Sequence, residues 1–148
     1  MYTIIQNSLL ILFGLLSFTL VHAAPPTITF SDLVSGPATG LGDGKGSGAI
    51  VTVWGQNLGN TQANSSIEFC DSASTCRAGH VYYWKNADGT LPGGPANLYK
   101  SHRMQEIAFS IPALSANGSG AIRITVDGET VQLPFTVRAG RILHVKPS

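Results

Sequence analysis

Three consecutive aromatic residues stand in the stretch HVYYWKN, residues 80–86. On a β-strand, neighbouring side chains point to opposite faces, so one face of this stretch enters a core and the other is exposed or covered. Tyr82 and Trp84 would then share a face at a spacing of ~7 Å, which suits stacking against successive sugar rings. With Tyr99 they form the candidate carbohydrate-binding set. The competing reading makes residues 86–101 (NADGTLPGGPANLYKS) a lid, with Pro92, Pro95, Leu98 and Tyr99 folded over those rings.

SHRMQEIAFSIP offers a second chemistry, with His102 and Glu106 as a metal-binding or acid–base pair. Four residues apart on a helix they would meet. Here Ile107, Phe109 and Ile111 alternate as the inward face of a strand that Pro112 ends. If that strand begins by His102, the two side chains are about 13 Å apart, too far to share an ion, and only a loop position for His102 avoids this. Arg103 and Glu106 are expected as surface or strand-end charges. No G-x-S-x-G motif presents a strained nucleophile. The chain is therefore expected to be non-catalytic, with no metal site and no cofactor.

Glycines at every second position lead GLGDGKGSGAIVTVWGQNLG, residues 40–59. A phosphate-binding loop needs G-x-x-x-x-G-K-[ST] ahead of a helix. Lys45 does follow Gly44, but Gly46 stands in place of the hydroxyl residue, Thr39 in place of the first glycine, and a strand follows. Asp43 alone supplies too few oxygens for calcium. The run is expected to be a flexible lead into a strand.

Strands must position these side chains. Apolar–polar alternation between Gly, Pro, Asn and Asp turns predicts seven, at 27–30, 49–54, 66–70, 81–85, 105–111, 121–126 and 130–137. The last two form a hairpin about Asp127-Gly128. Pro134 has no N–H, so its nitrogen side must face an open edge or a bulge. Short strands so punctuated predict an all-β, antiparallel sandwich.

Compartment follows from the front of the chain. Residues 8–21 (SLLILFGLLSFTLV) are apolar and uncharged, and Val21-His22-Ala23 sets small residues at a cleavage site. A signal peptide over 1–23 is expected, though the leading MYTIIQN carries no Lys or Arg. The alternative, an uncleaved anchor over 4–21, approaches the ~18 apolar residues a membrane helix needs. Cys70 and Cys76, the only cysteines of the 148 residues, are expected to form a disulfide across a short turn, closing a loop worth about 2 kcal/mol. With a formal net charge of +1 and no basic stripe, nucleic acid is not an expected partner, nor is a membrane once the leader is removed.

A resemblance enters on the glycine-rich strand. Gly48-x-x-Val51-Thr52-Val53-x-Gly55-x-Asn57-Leu58-Gly59 resembles the signature of the IPT/TIG family of immunoglobulin-like domains. Pro26-Thr27-Ile28 opens the pattern and Leu133-Pro134-Phe135-Thr136-Val137 closes it. It implies an immunoglobulin-like β-sandwich over 24–138, with 139–148 a linker or the start of a further domain. The insertion around 82–101 and the local disulfide depart from the family. A similar module precedes the parallel β-helix of some secreted bacterial proteins, in which a segment like ILHVKPS leads into the first coil. The resemblance implies a secreted or cell-surface, non-catalytic module for binding or spacing in a larger, polysaccharide-associated protein. Its partner would be an extracellular polysaccharide or a cell-surface protein. The alternatives are a carbohydrate-binding domain proper, using Tyr82, Trp84 and Tyr99, and a fragment of a polysaccharide-degrading enzyme.

Overall fold

Alternation in the sequence becomes two β-sheets in the computed structural model, which describes residues 24–113 and 115–145. The expected leader, 1–23, lies outside the described residues. Among them the order is β1 (Thr27–Ser31), β2 (Ser35–Pro37), β3 (Ile50–Gln56), β4 (Ser66–Asp71), β5 (Cys76–Ala78), β6 (Val81–Asn86), α1 (Leu98–His102), β7 (Gln105–Ser110), β8 (Gly118–Val126) and β9 (Glu129–Arg138). One sheet has the order β1-β3-β7-β6 and the other β2-β9-β8-β4-β5. Pairing is antiparallel throughout except for β2, which runs parallel to β9.

All seven anticipated strands are present, and β2 and β5 are additional. Neither has an alternating pattern of its own. β2 is Ser-Gly-Pro held along β9, and β5 is Cys-Arg-Ala held along β4. Tertiary pairing, not local propensity, makes them strands.

Val51, Val53, Trp84, Ile107 and Phe109 from the four-stranded sheet join Ile67, Phe69, Ile122, Ile124, Phe135 and Val137 from the five-stranded sheet in one buried cluster. Phe69 and Phe135 meet edge to face at 6.2 Å. Burying each such large side chain stabilises the fold by about 1.5–3 kcal/mol. The β8–β9 hairpin turns on Asp127 (φ 50°) and Gly128 (φ 86°), the pair of positive φ angles that a two-residue turn needs. Pro134 lies beyond the reach of β2, which pairs only with residues 136–138, so its nitrogen faces the open edge of β9.

The glycine run before β3 is tied down rather than loose. Asp43 Oδ1 accepts from the N–H groups of Lys45 and Gly46, each at 2.9 Å, and Leu41 N–H donates to Ser47 O at 2.9 Å. Gly40, at φ 94°, could not carry a Cβ, because the backbone of Ile142 occupies that space. There Ile142 N–H donates to Thr39 O at 3.0 Å and His144 Nε2 lies 3.1 Å from Gly40 O. The glycines serve conformation and close approach.

Candidate functional site

The aromatic run does not make the expected platform. A bulge between Val81 and Tyr83 breaks the register of β6 on β7. Val81 pairs with Phe109 and Trp84 with Ile107, so both point to the core, while Tyr83 pairs with Ala108 on the opposite face. Trp84 is 7% exposed, and its Nε1–H donates to Leu58 O at 2.9 Å. This corrects the shared Tyr82/Trp84 face: an indole packed in the core and bonded to backbone cannot stack on a sugar. Tyr82, left between, turns to the glycine run, where its hydroxyl donates to Asp43 Oδ2, and His80 packs edge-on against its ring at 4.8 Å. That bond from Tyr82, chiefly, lowers the Asp43 carboxyl from 3.8 to about 2. Burial first, then the same bond, pushes the Tyr82 phenol up from 10.0 to about 12.

His102 and Glu106 are not brought together as a site. His102 does lie ahead of the strand, closing α1, exposed and with Nδ1 2.7 Å from Ser101 Oγ. Arg103 caps the helix in the left-handed conformation at φ 57°. Glu106 stands at the start of β7, the strand-end place expected of it, but it is not a surface charge, being 1% exposed. Alternation does set it outward from the core, but the chain folds over it. Its Oε2 accepts from Trp54 Nε1 at 3.1 Å and from Gly94 N at 3.2 Å. A Cβ at Gly93 would collide with the carboxylate, so only glycine permits this roof. The expected lid over the Tyr82 and Trp84 rings is corrected as well, since the loop instead lies over Glu106, with Gly93 and Gly94 against its carboxylate.

Sequence reasoning passed over that outward face. Phe30 pairs with Trp54 across β1 and β3, and their rings stack at 4.9 Å. Trp54 alternates with the buried Val51 and Val53, and that signal could have found it. The roofing loop is anchored by Lys85, whose Nζ lies 2.8 Å from Asp88 Oδ1 and donates to Thr90 O at 2.6 Å. Lys85, with Thr90, holds the Asp88 carboxyl well below the usual carboxylate range.

Tyr99 stands elsewhere. Asn97 caps α1 by accepting from Lys100 N at 2.9 Å, and Tyr99 N–H donates to Ala87 O at 2.8 Å. These bonds set the half-buried Tyr99 ring on the wall of a cleft of about 450 Å³ at one end of the molecule. Asn60, Asn86, Gln105, Asp127 and Glu129 share that wall. Gln105 is committed inward, its Oε1 accepting from Leu58 N and its Nε2 donating to Arg103 O, both at 3.1 Å. Asn86 Oδ1 is buried without a partner. The Arg103 guanidinium lies 5.3 Å from the centre of the Tyr99 ring.

Cys70 and Cys76 form a disulfide directly across β4 and β5. Glu68 approaches the two sulfurs in the arrangement of a metal site, but both thiols are spent in that bond. A scan of protein-family models and a search of curated proteins found no match to this chain.

Proposed function

We propose that this chain is a secreted, non-catalytic module, an immunoglobulin-like β-sandwich of IPT/TIG type, that serves binding or spacing within a larger extracellular protein. The observation that carries the reading is the strand order. β1-β3-β7-β6 corresponds to strands ABED of an immunoglobulin sheet, and β9-β8-β4 to GFC opposite it. One core between the sheets and the Gly48–Gly59 motif on β3 support it further. Export is supported by the apolar leader sequence and by a disulfide that an oxidising compartment keeps closed.

The non-catalytic part rests on the separation of the candidate acid–base residues, one exposed at the end of α1 and one beneath the 88–94 loop. The test expresses the whole chain with its leader. Secreted protein is sequenced from its amino end, then incubated with insoluble and soluble polysaccharides while binding and product release are read together. An amino end at Ala24 with no released product is the expected result. Retention in the membrane fraction would overturn export, and released sugar would overturn the non-catalytic reading.

A further inference from the structure

The Cys70–Cys76 disulfide stands in surroundings that a staple alone does not need. It joins residues directly opposite one another in the β4–β5 register, and β5 is the last strand at that edge of its sheet. Cys70 is 7% exposed and Cys76 is half-buried. Both line a surface cleft of about 230 Å³, together with Asp71, Ser74, Arg123 and Gln132. The bond thus opens on solvent from the Cys76 side.

Arg123 is the sharpest observation. It stands on β8, faces Glu68 across the ladder, and turns its Nη1 to the sulfurs, 3.5 Å from Cys76 Sγ and 3.8 Å from Cys70 Sγ. Its Nε is buried without a partner. A guanidinium only donates, and divalent sulfur is a weak acceptor. A thiolate in the same place accepts a charge-assisted bond, which is far stronger, and a cation beside a cysteine favours the thiolate. Arg123 is therefore better satisfied once the disulfide is broken.

What the bond holds is local. β5 is Cys-Arg-Ala, and none of the three belongs to the buried core cluster. With the disulfide open, that edge rests on the Arg77–Asp71 ion pair at 3.5 Å and on the turn N–H groups of Ala73 and Thr75 bonded to Asp71 Oδ1. The two sheets keep their shared core.

We propose that Cys70–Cys76 is a thiol-exchange site, opened by a dithiol reductant with Arg123 stabilising the departing thiolate, and that opening it loosens β5 while the core stays folded. A thiolate of the dithiol attacks Cys76 Sγ. The S–S bond breaks, and Cys70 leaves with the electron pair as a thiolate beside Arg123. The second thiol loses its proton to solvent and attacks the mixed disulfide at the dithiol's own sulfur, and Cys76 leaves and takes up a proton. The protein gains two electrons, and the dithiol loses them and closes into its own disulfide. The proposal goes beyond the binding-or-spacing reading, which holds with the bond open or closed.

The full-length secreted protein is incubated with dithiothreitol at one fixed pH, with a chelator present so that the freed thiols and Glu68 hold no metal ion. Thiols are alkylated and counted by mass, and backbone hydrogen exchange is followed in the same samples. The folded protein should be reduced faster than it unfolds, with exchange rising at 76–78 and unchanged in β3, β7 and β8. Arg123→Gln should slow the reduction and shift its equilibrium toward the disulfide, each roughly fivefold to tenfold. Glu68→Gln removes a carboxylate that opposes a thiolate and should speed the reduction about threefold. A general loosening of the edge would speed both variants, so effects of opposite sign isolate the charge. Should Arg123→Gln fail to fold, Glu68→Gln carries the same question.

Reduction no faster than global unfolding would overturn the proposal and leave the disulfide a staple. Loss of protection in β7 or β8 on reduction would overturn the local opening. Reduction as fast in Arg123→Gln as in the unaltered protein, or slower in Glu68→Gln, would overturn the part given to Arg123.

Discussion

Trp54 and Trp84 are the chain's two tryptophans, and they occupy opposite faces of one sheet. Each has its indole N–H satisfied, at 3.1 Å by Glu106 Oε2 and at 2.9 Å by Leu58 O. The acceptors differ in kind. On the core side a backbone carbonyl serves, which no substitution removes. On the outward side a carboxylate serves, and it is buried only because a glycine-rich loop lies over it. The core face is therefore closed by apolar packing, whereas the outward face is closed by a polar arrangement that single substitutions can dismantle.

The contrast can be broken by substitution, the largest effect coming first. Trp84→Ala should cost about 3–5 kcal/mol in urea unfolding, from lost burial and the cavity left behind. A cost near that of a surface change would show that the indole is not part of the core. Glu106→Ala strands the Trp54 Nε1–H and the Gly94 N–H and should cost about 2 kcal/mol, with faster proteolysis in residues 88–94. If the loop keeps its protection, the carboxylate does not hold it. Trp54→Phe retains a ring beside Phe30 but loses the donor, for about 1 kcal/mol. In the unaltered protein, iodide should quench the half-buried Trp54 and spare Trp84.

Smallest is the effect at the edge of the same sheet, where Tyr82 meets Asp43. The Asp43 carboxyl is lowered, so its support for the fold is full above 3.8 and lost as pH falls through about 2. The Tyr82 phenol is raised, so its share is full below 10.0 and lost as pH rises through about 12. In Tyr82→Phe the Asp43 carboxyl should titrate nearer 3.8, read from its carbon-13 shift. An unmoved titration would place the cause in the loop backbone.

How far these regions were legible from residue order depended on whether the cause was local. The β8–β9 hairpin was legible because alternation and Asp-Gly act within a few residues. Cys70 and Cys76 were legible for the same reason. The fate of Trp84 was not, because a one-residue bulge in β6 moved Tyr82 out of register, and nothing in YYW marks where the extra residue falls. Glu106 was misplaced because alternation gives the direction of a side chain and says nothing of what lies above it. Tyr99 lines a cleft assembled from segments before β1, after β3, at α1 and at the β8–β9 turn, and their meeting is a long-range matter that residue order does not show.

The parallel pairing of β2 with β9 has a mechanical consequence. Pulling the chain by its two ends drives these strands in opposite directions along their shared axis. The bonds over the register from Ser35–Thr136 to Pro37–Arg138 are then loaded together in shear, whereas an antiparallel hairpin pulled from its open end yields one rung at a time. Resistance to such a pull is a matter of unfolding rate rather than equilibrium stability. Once β1, which precedes it in the chain, has left β3, a three-residue strand with no apolar pattern of its own thus becomes the catch that must slip before tension passes on to the rest of the two sheets.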